Sequence, residues 1–184
     1  THGRTHKQIA YETLMEKGLS ENEILDKISI FIETLEKNYV ECLKEGKIDL
    51  FPKIHELLEE LIKKDLVLGL VTGNTKKIAF AKLEKPGVGK YFEVGGYGED
   101  STKRKDLVQY AIKRAEEKFS QKFLPENIFI IGDTPNDIHS ADNTGVKTIG
   151  VATGIFSKEE LMKEGADFTL ENLEDFKKLY SIIE

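Results

Sequence analysis

The segment IFIIGDTPNDI contains two aspartates that could hold a metal ion. An apolar strand is predicted to end at Gly132, so Asp133 follows at its carboxyl edge, and Pro135 stands where proline favours the start of a helix. Asp137 falls in the first turn of that helix. Ligands of open α/β sheets bind outside the carboxyl ends of strands, so the two carboxylates should meet there and suit Mg²⁺ with retained waters. The alternative is that both acids only cap the helix.

A second corner with possible chemistry follows the apolar run LVLGLV, where Thr72, Gly73 and Asn74 lead into a predicted helix. A hydroxyl group, a tight turn and exposed N–H groups at a helix start are typical of an anion-binding site. Thr-Gly-Asn is equally an ordinary turn with an N-cap. The acidic corner nearby in the predicted sheet favours the anion site.

Three cations, Lys103, Arg104 and Lys105, lie at or near the start of a long predicted helix. Cations at that end oppose the helix dipole, which costs roughly a few tenths of a kcal/mol. An anionic ligand would compensate that cost, and the alternative is a solvated cluster of charges. A hydroxyl, a cation and an acid pair at three strand-to-helix corners together predict a site that handles phosphate.

These corners are positioned by a predicted alternation of strands and helices, which is typical of a doubly wound, Rossmann-like α/β fold with a parallel sheet. The strands are expected at residues 66–71, 92–96, 128–131, 148–151 and 167–170. The helices are expected at residues 53–64, 75–84, 104–119 and 136–143, from residue 157, and at 173–182.

The first part of the chain has a different pattern and contains no predicted strand. Residues 6–45 favour an antiparallel pair of helices, the first ending at Gly18. Ser20 and Glu23 form a capping box that opens the second helix, and Gly46 ends it. We therefore predict a small helical cap with its entry linker at residues 1–50 and an α/β core at residues 51–184.

Composition excludes several classes of protein. The 27 basic and 33 acidic residues give a net charge of −6, which argues against non-specific nucleic-acid binding. The apolar runs are far shorter than the ~18 residues that a membrane span needs. The single cysteine, Cys42, excludes a disulfide framework and is expected to pack rather than to act as a nucleophile. We expect a cytoplasmic protein without membrane or nucleic-acid partners.

The motifs LVTGN, IIGDTPNDIHSADNTG and VATG, with the basic segment around Arg104, resemble those of the haloacid dehalogenase-like hydrolases. The resemblance is to the phosphoglycolate-phosphatase-like branch with a helical cap, and it extends over essentially the whole chain. It implies that Asp133 binds Mg²⁺ and that Asp137 binds it directly or through water. Thr72 and the two backbone N–H groups after it would bind the transferring phosphoryl group, and Arg104 would hold its charge.

The resemblance implies a Mg²⁺-dependent phosphatase that acts on a small phosphorylated metabolite through an aspartyl-phosphate intermediate. A phosphosugar mutase of the same family is an alternative. So is a non-catalytic phosphate-binding or regulatory module that has lost the nucleophile. A dehalogenase fits less well, because displacing halide from a neutral carbon requires no acidic metal pair.

The sequence departs from the family at one point, because it contains no Asp-x-Asp-x-Thr nucleophile motif. In the family this motif ends a first strand that lies between the strands corresponding to LVLGLV and IFII. Without that strand, the two neighbours would lie about 9.5 Å apart with unpaired backbone groups. We therefore expect about 10 to 15 residues, a strand at ~3.3 Å per residue plus its loop, to precede Thr1. His2, Gly3 and Arg4 are expected to be linker residues, and the alternative is that they line the cap hinge near the substrate.

Overall fold

The structure, a computed structural model, describes residues 4–183, so His2 and Gly3 lie outside the described residues. The helices are α1 (His6–Glu16), α2 (Glu21–Glu45), α3 (Ile54–Lys63), α4 (Lys76–Glu84), α5 (Arg104–Phe119), α6 (Pro135–His139), α7 (Lys158–Lys163) and α8 (Phe176–Ile183). The strands are β1 (Gly69–Val71), β2 (Val94–Gly96), β3 (Phe129–Gly132), β4 (Lys147–Val151) and β5 (Phe168–Leu170).

The first two helices form a pair with a small apolar core of their own. Ala10 of α1 is buried against Ile24 and Ile28 of α2, which brings the two helices together. The predicted capping box is present, since Ser20 and Glu23 each bond the other's backbone N–H group. The division into a cap at residues 1–50 and a core at residues 51–184 stays a prediction.

The remaining elements confirm the α/β class. β1 pairs in parallel with β2, and β3, β4 and β5 form a parallel sheet in that order. α5 packs against β1 and β2, whereas apolar residues of α3 and α8, including Leu57, Leu61 and Leu179, form a core with β4 and β5. The described strands thus form two sheets, in which β1 and β3 do not pair with each other.

The two sheets are separated by a gap between β1 and β3, and no strand among residues 4–183 pairs with both. The gap is an apolar cavity of about 380 Å³. Its walls include Val71 of β1, Ile130 of β3, and Val108 and Ala111 of α5. Ile131 is 42% exposed, although strands in the middle of a parallel sheet are normally buried on both faces. The gap is therefore lined by apolar side chains, as the surroundings of a buried strand would be.

Several elements are shorter than the sequence predicts. β1 begins at Gly69 and not at residue 66, because the Leu66 N–H group donates to Leu61 O (3.3 Å) and completes the end of α3. α6 ends at His139, and residues 140–143 continue as turns. α8 begins at Phe176 and not at residue 173. Hydrophobic periodicity predicts which helices and strands are present, whereas local hydrogen bonds determine the residues at which they begin and end.

Two expectations from composition can be compared with the structure. Cys42 is exposed, so the expectation that it packs in an apolar environment is wrong. Within residues 4–183, no helix combines the length and the apolar character needed to cross a lipid bilayer.

Candidate functional site

A polar cavity of about 290 Å³ lies where β1 and β3 end. Thr72 directly follows β1, Asp133 directly follows β3, and Asp137 lies in the first turn of α6. Arg104 is the first residue of α5, which follows β2. All four side chains, which were predicted from three separate motifs, line this one cavity. Their chemical roles stay predictions, but the structure brings them together.

The threonine corner, defined as Thr72, Gly73 and Asn74, is built around a hydroxyl group. The Thr72 N–H group donates to Gly96 O (3.1 Å), which ties the corner to the end of β2. Thr72 Oγ1 accepts hydrogen bonds from the Asn74 backbone N (3.1 Å) and from Asn74 Nδ2 (2.8 Å). A hydroxyl oxygen has two lone pairs and one proton. Both lone pairs are used, so the proton of Thr72 is left to donate to a ligand.

The chain before α1 packs directly on this corner. A Cβ atom at Gly73 would collide with the carbonyl oxygen of Arg4, so only glycine permits this approach. The His6 N–H group donates to Gly73 O (2.8 Å), and both Arg4 and His6 line the cavity. Burial and the nearby positive charge of Lys82 lower the pKa of the His6 imidazole below its ordinary value. His6 is therefore neutral at pH 7.

The aspartate corner, defined as residues 133–137, holds its second acid firmly. Thr134 is the N-cap of α6, and Asp137 Oδ2 accepts hydrogen bonds from Thr134 N (3.1 Å) and Thr134 Oγ1 (2.7 Å). Asp137 Oδ1 forms an ion pair with Arg104, and the two side chains are only 10% and 18% exposed. The capping alternative thus describes part of what Asp137 does. The same carboxylate also fixes the guanidinium at the cavity.

The first acid of this corner is held differently. Asp133 receives no hydrogen bond from any residue within 4–183. Gly154, in the VATG motif after β4, approaches so closely that a Cβ atom there would collide with Asp133 Oδ2. The glycine therefore leaves room for the carboxylate at the cavity wall. Asp133 combines a defined position with oxygen atoms that are available to a ligand.

The donor set agrees with a magnesium ion, which uses one or two carboxylates and completes its shell with water and substrate phosphate oxygens. Asp133 has available oxygens, whereas both oxygens of Asp137 already interact with protein groups. Within the described part of the chain, no three His, Cys, Asp or Glu side chains cluster as a metal site. The residues present fit Mg²⁺.

The structure also separates the three candidate cations. Arg104 lines the cavity, whereas Lys103 and Lys105 are exposed and are not among its lining residues. The two lysine alternatives are therefore not supported by the geometry. Sequence reasoning missed His6, whose position at the start of α1 carries no motif. It also missed Thr134, whose Thr-x-x-Asp spacing is a recognisable capping signal.

A parallel α/β fold with a polar cavity at its strand ends defines the Rossmann-like class. Within that class, the chain belongs to the haloacid dehalogenase-like hydrolase family, whose model matches residues 2–151. Phosphoglycolate phosphatase from Vibrio parahaemolyticus is 29% identical over 133 residues, which cover 72% of this chain and 57% of that protein. The chain thus spans less than two thirds of the length of this relative.

Solved structures show the same fold. A hydrolase from Pseudomonas syringae matches with a TM-score of 0.70 and 24% identity, over 100% of this chain and 81% of that one. A predicted phosphoglycolate phosphatase from Haemophilus somnus matches with a TM-score of 0.67 and 23% identity, over 95% of this chain and 75% of that one. At these identities the likeness concerns the fold alone.

Proposed function

We propose that the protein is a Mg²⁺-dependent phosphatase that hydrolyses the phosphate monoester of a small metabolite. The observation that carries this proposal is the one cavity that is lined by the hydroxyl of Thr72, the guanidinium of Arg104 and the carboxylate of Asp133. Within residues 4–183 this carboxylate receives no hydrogen bond. The two donors suit a phosphoryl dianion, and the carboxylate suits the cation that accompanies it. The phosphoglycolate phosphatase relatives also support this proposal.

In the proposed reaction, each of these side chains has a defined task. Thr72 donates its hydroxyl proton to a phosphoryl oxygen, and the Asn74 N–H groups keep the Thr72 oxygen oriented. Arg104 binds a second phosphoryl oxygen and stays in place because Asp137 holds it. Such preorganised donors stabilise the charge that develops as the phosphoryl group is transferred. Bound Mg²⁺, held by Asp133, would neutralise part of that charge.

The reaction also requires a carboxylate that attacks the phosphorus atom. The attack breaks the ester P–O bond, and the alkoxide leaves as the alcohol after it takes up one proton from the solvent. Water then cleaves the aspartyl phosphate and gives inorganic phosphate, the free carboxylate and one proton, so that the whole reaction consumes one water molecule. The only acids lining the cavity within residues 4–183 are Asp133 and Asp137. We infer that the attacking aspartate belongs at the carboxyl end of the gap between β1 and β3, because Thr72 and Asp133, which line the cavity, directly follow those two strands.

The test is the release of phosphate from p-nitrophenyl phosphate by the full-length protein, with Mg²⁺ and with a chelator. We expect turnover only with the metal, and Asp133→Asn should lower kcat by roughly 10²–10³-fold. Asp142→Asn is the matched control, because Asp142 is exposed and lies just beyond the same helix. A full-length protein that binds phosphate but never turns over the ester would favour the non-catalytic binding module. Equal activity of Asp133→Asn and Asp142→Asn would contradict the role of Asp133.

A further inference from the structure

The threonine corner is connected to the helical pair through one lysine of α4. Lys82 is half-buried, and its Nζ donates to Asn74 Oδ1 (3.2 Å). The same ammonium lies 4.8 Å from the ring centroid of Tyr39 on α2. Lys82 therefore contacts the residue that orients Thr72 on one side and an aromatic face of the helical pair on the other.

The contact with Lys82 determines which way the Asn74 amide points. An ammonium group has three donors and no acceptor, so it can pair only with the oxygen of the amide. With Oδ1 held by Lys82, the Nδ2 group faces Thr72 and donates to its Oγ1 (2.8 Å). The reversed amide would place Oδ1 against Thr72, and the hydroxyl would then donate to Asn74. Its proton would no longer be available to a phosphoryl oxygen.

We propose that Lys82 is a positioning residue of the phosphate site, which keeps Thr72 a donor by fixing the Asn74 amide, and that Tyr39 of the helical pair holds Lys82 in place. The proposal rests on the proposed function for its substrate, but it concerns anion binding and can be tested without turnover. The lysine also places a positive charge two hydrogen bonds behind the donating hydroxyl. That charge polarises the chain of bonds in the sense that favours an anion.

The other contacts between α4 and α2 provide a control. Lys77, on the same helix, pairs with Glu36 of α2 (3.7 Å) but makes no contact with Asn74. Lys85 donates to Lys44 O (3.1 Å) at the end of α2. Lys77 and Lys82 of α4 and Lys85, the residue after α4, all contact α2, whereas of these three only Lys82 also contacts the threonine corner. Lys77→Met therefore removes a comparable helix-to-helix contact and leaves the Asn74 amide fixed.

The experiment compares inorganic phosphate binding, by calorimetry, in Lys82→Met, Lys77→Met and Lys82→Arg. We expect Lys82→Met to weaken phosphate binding about ten-fold, as is typical when a hydrogen bond to a charged group is lost. Lys77→Met should bind as the unsubstituted protein does, and Lys82→Arg should recover most of the affinity, because it keeps a cationic donor. Thermal unfolding of each variant separates lost stability from lost binding.

The role of Tyr39 is tested in the same way. Tyr39→Phe keeps the ring under the ammonium and should bind phosphate normally, whereas Tyr39→Leu should weaken binding in the same direction as Lys82→Met. Equal phosphate affinity in Lys82→Met and Lys77→Met would overturn the inference, as would an unsubstituted protein that binds no phosphate. Phosphate binding without turnover would overturn only the proposed function.

Discussion

The threonine corner and the aspartate corner use hydrogen bonds in opposite ways. At the threonine corner, Asn74 supplies two donors to Thr72 Oγ1 and leaves the hydroxyl proton for a ligand. At the aspartate corner, Thr134 and Arg104 occupy the oxygens of Asp137, and Asp133 is left with acceptor atoms for a ligand. One corner thus offers a donor, and the other offers an acceptor.

The difference shows that each corner contains one side chain that holds the site in place and one that is available to a ligand. Asn74 and Asp137 act as internal supports, and Thr72 and Asp133 keep the atoms that can react or bind. The division has an energetic reason, because a support must be fully hydrogen-bonded when it is buried, whereas a binding group must keep an unused donor or acceptor. Replacing a support should therefore affect folding, and replacing a binding group should affect ligands.

The largest effect is expected for the support at the aspartate corner. Asp137→Ala removes the partner of Thr134 in the capping box of α6 and leaves the buried guanidinium of Arg104 without this carboxylate. Removing one partner of a buried ion pair costs about 3–5 kcal/mol, and the free energy of unfolding in urea should fall by about that amount. Asp133→Asn should change the same free energy by less than about 0.5 kcal/mol, because Asp133 has no hydrogen-bond donor within residues 4–183 to lose.

The matched control for this comparison is Asp142→Ala, which removes an exposed carboxylate close to the same helix. It should leave stability unchanged. If Asp133→Asn destabilised the protein as much as Asp137→Ala, the two acids would both be structural and the distinction between support and binding group would be wrong at this corner.

A smaller effect is expected for the binding group of the threonine corner. Thr72→Val keeps the shape of the side chain and removes only the hydroxyl. The loss of a hydrogen bond to a charged ligand should weaken phosphate binding by about 2 kcal/mol, or roughly thirty-fold. Thr72→Ser keeps the hydroxyl and should bind within a few-fold of the unsubstituted protein. Calorimetric titration with inorganic phosphate measures both, and similar affinity of Thr72→Val and Thr72→Ser would mean that the hydroxyl does not contact the anion.

The positions of these groups could be predicted from sequence because each follows an apolar run at a strand end. Thr72 after LVLGLV and Asp133 after IFII required only the rule that ligands bind outside the carboxyl ends of parallel strands. The α/β class could be predicted from the alternation of apolar strand segments with amphipathic helices. The separation into two sheets followed from the missing strand motif, since β1 and β3 have no pairing partner between them within the described chain.

The partners of these groups were not predictable in this way. The ion pair between Arg104 and Asp137 joins residues 33 positions apart, and no local pattern specifies it. Lys82 belongs to no sequence motif, and its contact with Tyr39 depends on how α2 packs on α4. Sequence therefore located the binding groups, and tertiary packing selected their supports.

The smallest expected effect is a change in the pKa of His6, which responds to the positive charge of Lys82 next to the threonine corner. The pKa of the His6 imidazole is lowered by burial and, to a smaller extent, by the positive charge of Lys82. Both causes disfavour the protonated ring. Lys82→Met removes only the second, so the pKa of His6 should rise while staying below its ordinary value of 6.5. Titration of the ring proton resonances by NMR measures this shift without any ligand.

Lys77→Met is again the control, since Lys77 is 61% exposed and pairs with Glu36. It should leave the pKa of His6 unchanged. A rise in the pKa of His6 in Lys82→Met alone would place the ammonium close to the threonine corner in solution. Identical titration curves in the two variants would mean that Lys82 is screened from the cavity. The charge of Lys82 would then have no effect at the threonine corner.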